Sequence, residues 1–376
     1  MKMPKRNRLS GCLQALLLAA AAGLYGNAGA APVDGPVPAE AAQQTAGRTV
    51  AARLAEMMEV RYVYPDIGLR YASALRAHAA AGDYDALAGE ALAKRLLADL
   101  EQTHEDAHLN VIPDPQPGPG ATEGEGGGLD YVKREAPDME TPAWIAPGIA
   151  FVRYNLFPSG PAEIEATAKF LDQYGGAKAI VFDLRAHRGG ALGEIDTIVG
   201  RLVSEPTHLL TMATRKSLVE LMGMPPADDP RMRLVEGDPE FISLEHWALP
   251  EAGKPRIRSR IYLLTSGRTA SAAEHFALAM KVAGLGILVG EPTLGANHFG
   301  GLEQVAEGLS AFIPVGRTFD PNTGQDWERT GVAPDIAVPA GDALAVVLER
   351  EGVEAARARA IADEHSPPAP AAKPAS

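Results

Sequence analysis

The sequence predicts an α/β protein in which a layered core follows a small helical bundle. Three observations carry that expectation. Apolar residues recur at helical spacing between Arg48 and His108: Val50, Leu54, Met57 and Met58 in one stretch, Leu87, Leu92, Leu96 and Leu100 in another. Pro113, Pro115, Pro117 and Pro119, with the Gly-Glu-Gly-Gly-Gly run at 124–128, then break the pattern. From Ile149 onward, short apolar runs alternate with helical stretches, as strands joined by crossover helices do.

Taken in order, the chain opens on Lys2, Lys5, Arg6 and Arg8, an apolar run from Leu13 to Leu24, and small residues ending Ala28-Gly29-Ala30. That is the layout of a secretory signal peptide over 1–30, with cleavage after Ala30. The apolar run is short for a membrane span. Leu9-Ser10-Gly11-Cys12 has the form of a lipoprotein box, but it precedes the apolar region instead of following it. A leader rich in Pro, Ala and Gln occupies 31–46, the helical domain 47–110 and a Pro/Gly-rich loop 111–146. The α/β core is expected over 147–364. Its runs are Ile149–Tyr154, Ala162–Tyr174, Ala179–Leu184, Leu192–Leu202, Arg260–Leu264, Ser271–Ala283 and Ile287–Val289. Further strand is expected at 304–315 and a last helix over Asp342–Asp363. A Pro/Ala tail, 365–376, is expected to be disordered.

Composition excludes several classes. The 376 residues are 46% hydrophobic with a net charge of −13, enough apolar content for a buried core and the wrong charge for a nucleic-acid partner. Signal cleavage would take four cations and the single cysteine with it, leaving a net charge of −17, no stable membrane anchor and no thiol chemistry. No pattern in the sequence requires a cofactor, and none bears on oligomeric state.

Four segments carry candidate chemistry. In Ile261–Glu274 a buried strand runs through a short turn into a helix, which puts Ser271 at the helix N-terminus. Amides of a first helical turn lack intrahelical partners, so the Ala272 N–H is placed to donate to an oxyanion formed on attack by Ser271. Ser271-x-x-Glu274 is equally a capping box. In Ile180–Gly190 a second strand runs into a loop whose two glycines allow close backbone approach. His104-Glu105-Asp106-Ala107-His108 has the literal H-E-x-x-H form of a zinc peptidase, with a charge inside it and a proline soon after. Glu328, before Gly331-Val332-Ala333-Pro334-Asp335, either orients a histidine or is simply exposed.

Together and in this order, these segments resemble the C-terminal-processing (tail-specific) serine peptidase family over about 149–340. The matching pieces are Asp-x-Arg-x-x-x-Gly-Gly at 183–190, Thr-Ala-Ser-Ala-Ala-Glu at 269–274, Val-Gly-Glu-Pro-Thr-x-Gly at 289–295 and Gly-Val-x-Pro-Asp at 331–335. The nearer branch is that of tricorn core protease and interphotoreceptor retinoid-binding protein. The resemblance implies a crotonase or Clp-protease type of core, with no PDZ domain because 109–148 is too short and too Pro/Gly-rich for one. It also implies Ser271 as nucleophile and the amides of Gly190 and Ala272 as the oxyanion hole. The lysine base of the tail-specific branch is missing, because Ala296 follows Gly295. The tricorn-like branch uses histidine and glutamate, which fall on His108 and Glu328. His187 stands where relatives carry asparagine, and either orients its loop or competes as the base. The expected partner is a peptide or protein substrate. Two alternatives stand beside this reading: a non-catalytic binder of apolar ligands on the same fold, and a zinc peptidase using His104 and His108.

Overall fold

Each short apolar run of the core becomes a strand buried on both faces, as a parallel sheet with helices on either side requires. The computed structural model describes residues 39–114, 136–223 and 228–368. The predicted signal peptide and the end of the tail lie outside them, as does most of the Pro/Gly-rich loop. Three helices come first: α1 (Ala39–Arg61), α2 (Pro65–Ala81) and α3 (Gly89–Thr103). Then follow β1 (Asn110–Pro113), β2 (Ala143–Ala146), β3 (Ile149–Arg153), α4 (Pro161–Tyr174), β4 (Ala179–Asp183) and α5 (Gly193–Gly200). The middle of the chain holds β5 (Thr207–Arg215), α6 (Lys216–Met222), β6 (Met232–Val235), β7 (Phe241–Ala248), β8 (Arg260–Thr265) and α7 (Ala272–Val282). The last elements are β9 (Ile287–Gly290), β10 (Phe299–Ala306), β11 (Leu309–Phe319), β12 (Ile336–Ala337), α8 (Ala343–Arg350) and α9 (Ala355–Glu364).

The first sheet runs β12-β9-β8-β4-β3-β2, parallel except for the edge strand β2. On one face, Val152, Phe182, Leu263 and Leu288 pack under Phe170, Ile198 and Phe276 of α4, α5 and α7. On the other, Phe151, Val181, Tyr262 and Val289 pack under Leu344, Leu348 and Ala358 of α8 and α9. The second sheet is antiparallel, in the order β1-β11-β5-β7-β6 with β10 also on β11. The N-terminal helices close over it: Leu54, Met58, Leu75 and Leu96 share a core with Val111, Ala311 and Ile313.

Several expected boundaries shift. Helix α1 begins at Ala39, inside the span read as a leader, because Ala-Glu-Ala-Ala-Gln-Gln is strongly helix-forming. The span read as loop contains strand at both ends: β1 pairs with β11, and β2 pairs with β3. The single C-terminal helix is two, broken at Gly352, which takes φ +92°.

The loop leaving β4 is held from beneath by buried charge. Asp183 accepts from Arg153 Nε and from Arg185 Nε and Nη2, each at 2.8 Å. Burial works against its ionisation, but the Arg185 and Arg153 guanidiniums outweigh it and hold its carboxyl below the usual range. Both arginines also donate to the His365 carbonyl, so the C-terminal helices fasten the start of the glycine loop.

Candidate active site

Ser271 caps α7 with φ 57° and ψ −121°. A positive φ is uncommon outside glycine and costs strain that the surroundings must impose. The anchor here is Glu274. Its buried carboxylate accepts the Ser271 amide at 2.7 Å, Gly295 N at 2.7 Å, Ala296 N at 2.9 Å and Thr293 Oγ1 at 2.6 Å. So the Glu274 arm of the capping box is present. The same side chain also ties the turn to the 293–296 loop. Burial raises its pKa, and the hydrogen bonds from Thr293 and the three amides oppose the rise.

The glycine loop comes to rest beside this turn. Phe157 forms a bridge with it through Gly189 O at 2.9 Å and Ala191 N at 2.7 Å. That leaves the Gly190 N–H on the opposite side, toward the cavity that Gly190 lines. Gly190 has φ +127°, and a Cβ there would lie 2.1 Å from the Phe157 carbonyl oxygen. Gly190→Ala is therefore expected to displace the loop and, on the oxyanion-hole role that the sequence resemblance implies for Gly190, to lower kcat by about 10²–10³-fold, the usual loss for one such donor. Steady-state kinetics check this; an alanine variant within about threefold of wild type would remove Gly190 from the oxyanion hole.

Ser271, Ala272, Gly190 and His108 line one cavity of about 750 Å³. The His108 ring stacks on Phe312, with centroids 5.5 Å apart. Burial pushes its pKa down to about 4; Asp106 pulls it up and His298 pushes it down. Its Nδ1 is buried without a hydrogen-bond partner. Glu328 spends its carboxylate elsewhere, accepting Asn297 N at 2.7 Å, His298 N at 3.2 Å and Ala107 N at 3.3 Å. Glu328 thus fastens the backbone beside His108, and burial raises its pKa. His187 has a different place from His108. Its Nδ1 accepts the Gly189 N–H at 3.0 Å, its ring packs on Phe157 at 4.2 Å, and burial holds its pKa down at about 3. These contacts tie His187 to the glycine loop.

The zinc reading of His104 and His108 fails on geometry. Helix α3 ends at Thr103, and His104 is extended, at φ −163°. The two imidazoles are therefore not placed one helical turn apart. Among the described residues, the group spaced to hold an ion is Asp106, His298 and Glu328, not the H-E-x-x-H pair.

Sequence reading missed His298. Its Nδ1 lies 2.7 Å from Asp106 Oδ2, which also accepts from Tyr62 OH at 2.8 Å. Asp106 Oδ1 accepts the amides of His108 at 2.9 Å and Leu109 at 3.3 Å. Burial lowers the His298 pKa, but the bond and charge of Asp106 override it, so the net shift is upward. Asp106, His298 and Glu328 clamp the turn that carries His108. The signal was present, since His298 follows Gly295 by three residues, but a lone histidine names no partner.

A strand-to-helix turn that sets a hydroxyl beside unpaired backbone amides is the arrangement of serine-type acyl-transfer enzymes. Residues 148–338, just over half of the chain, match the model of Peptidase family S41, and the chain belongs to that family. It is a serine-type peptidase, a hydrolase of peptides or proteins. The fold is shared with a candidate peptidase from Parabacteroides merdae ATCC 43184. That match has a TM-score of 0.53 at 18% identity and covers 78% of this chain and 90% of that one. The photosystem II D1 C-terminal processing protease matches at 0.48 and 16%, over 79% and 94% of the two chains. Tricorn protease matches at 0.48 and 13%, over 85% and 37%.

Proposed function

We propose that this chain is an exported serine peptidase. Ser271 is the nucleophile, His108 the base, Glu328 the third member, and the amides of Gly190 and Ala272 the oxyanion hole. The observation that carries the reading is the strained Ser271 turn opening on the same cavity as His108, Gly190 and Ala272. A serine hydroxyl is barely ionised at neutral pH and needs a base to take its proton. His108 takes it as Ser271 attacks the scissile carbonyl, and returns it to the leaving amine. Glu328 acts through the backbone of Ala107, holding the His108 turn in place. Export rests on the basic, apolar and small-residue succession of 1–30. Among the described residues, no helix is long and apolar enough to cross a membrane.

A fluorophosphonate probe tests the nucleophile. It is expected to label the wild type and to leave Ser271→Ala unlabelled; equal labelling of both sinks the assignment. The probe also separates the peptidase from a ligand binder on the same fold, which would take no label. N-terminal sequencing of the exported protein is expected to begin at Ala31. Recovery of the intact chain in the cytoplasm overturns the export reading.

A further inference from the structure

One wall of the Ser271 cavity carries a buried chain of polar groups for which the Ser271–His108 chemistry has no use. His275 lies four residues beyond Ser271, in the first turns of α7. Helical side chains lean toward the N-terminus, so its ring covers the turn that bears Ser271. His275 is 4% exposed and lines the cavity. Its Nε2 is 2.9 Å from Nδ1 of His246 on β7. His246 Nε2 is in turn 2.8 Å from Asp196 Oδ1 on α5. Arg231 pairs with the other Asp196 oxygen at 2.8 Å and with Asp229 at 2.8 Å. The same cavity is also lined by the apolar side chains of Leu192, Met212 and Met232.

The order of bonds sets the tautomers. A carboxylate only accepts, so His246 donates its Nε2–H to Asp196. In neutral His246, Nδ1 is then a lone pair, and His275 must supply the proton between the two rings from its Nε2. The lone pair of His275 therefore falls on Nδ1, the nitrogen not spent on His246. Burial holds the His275 pKa well below the ordinary imidazole value, which keeps that lone pair free of a proton at neutral pH.

We propose that His275 is a specificity-determining residue, whose Nδ1 accepts a hydrogen bond from the side chain of a substrate residue flanking the scissile bond. The inference rests on Ser271 as the nucleophile. His275 is set back from Ser271 by about 6 Å along the helix, within reach of a substrate side chain. The apolar lining receives an apolar stem and the imidazole its polar tip. The favoured substrates carry a hydroxyl or amide donor there: threonine over valine, tyrosine over phenylalanine, glutamine over methionine. An acceptor that substrate covers and leaves unpaired rejects the analogue lacking the donor far more strongly than an apolar pocket rejects a change of shape.

The test is a set of fluorogenic peptides paired in this way at the residue on each side of the scissile bond, assayed at about pH 8, above the ordinary imidazole pKa. In the wild type, the donor-bearing member of a pair at one flanking position is expected to have kcat/KM about 10²-fold higher. His275→Leu is expected to bring that ratio within about threefold of one. Asp196→Asn replaces an acceptor with a group that also donates, which lets the relay turn over and presents N–H at His275 Nδ1. The preference should then fall or reverse, a result that loss of packing alone would not give. A wild type indifferent to every pair overturns the proposal. So does a His275→Leu protein that still takes the fluorophosphonate label and keeps the full ratio. If His275→Leu does not fold, an unchanged ratio in Asp196→Asn overturns it instead. Failure of the wild type to label at Ser271 would strike the nucleophile reading, and is read out separately.

Discussion

His108→Ala and Ser271→Ala are each expected to lower kcat by about 10⁴–10⁶-fold, and the double variant no further than the worse single one. At the upper end this is about 8 kcal/mol of barrier. In the proposed mechanism the two side chains perform one act, the transfer of a proton as a bond forms, so removing either removes the act. Substrate binding along the cavity is untouched by the chemistry, so KM is expected to move little. Single-turnover kinetics on the three variants check this. Losses that multiply would mean that the residues work independently and that another group deprotonates Ser271.

The pH profile sharpens the test. A base must be unprotonated to work. Burial penalises the charged imidazolium and lowers the His108 pKa to about 4. The neutral form therefore persists well below the ordinary value of about 6.5. The acid limb of kcat/KM is expected to fall through about pH 4, with activity held between pH 5 and 7. The groups that face His108 pull in opposite directions, Asp106 upward and His298 downward. Replacing Asp106 with asparagine is expected to move the limb lower still. A limb near 6.5 in the wild type would mean that His108 is solvated in the working enzyme, or is not the base.

What the sequence made legible, and what it did not, follows from the range of each interaction. The strands at 179–183 and 260–265 are short, continuous apolar runs, so burial on both faces shows in the residues themselves. Ser271 and its glycine loop are local too, each a strand, a turn and small residues within about a dozen positions. The antiparallel sheet was mostly missed. β6 has four residues, and β7 reads Phe-Ile-Ser-Leu-Glu-His-Trp-Ala, where Glu245 and His246 break the simple alternation. His246 is there because Asp196 and His275 face it from 50 and 29 residues away. Asp106 and His298 are 192 residues apart. No spacing rule reaches that far. Glu328 shows the same limit: a motif marks the position, but only the fold reveals that its oxygens meet backbone amides.

Glu274→Ala is expected to be the most damaging substitution for stability near the site, by roughly 3–5 kcal/mol. The carboxylate accepts four hydrogen bonds, and three donors are backbone amides that cannot turn away: Ser271, Gly295 and Ala296. Truncation leaves them unpaired in a volume from which water is excluded, since Glu274 is 0% exposed. It also releases the Ser271 turn, whose φ of 57° needs an external hold. The effect on catalysis should therefore exceed the loss of folded protein: fluorophosphonate labelling slows even in the fraction that remains folded. Glu274→Gln separates charge from shape. Glutamine fills the same space but turns an NH₂ toward amides that also donate, so it satisfies at most half the set and should recover only part of the stability. Chemical denaturation and labelling rates on both variants decide the matter. If Glu274→Gln equals the wild type in both, the carboxylate is only filling space, and some other contact holds Ser271 in its strained conformation.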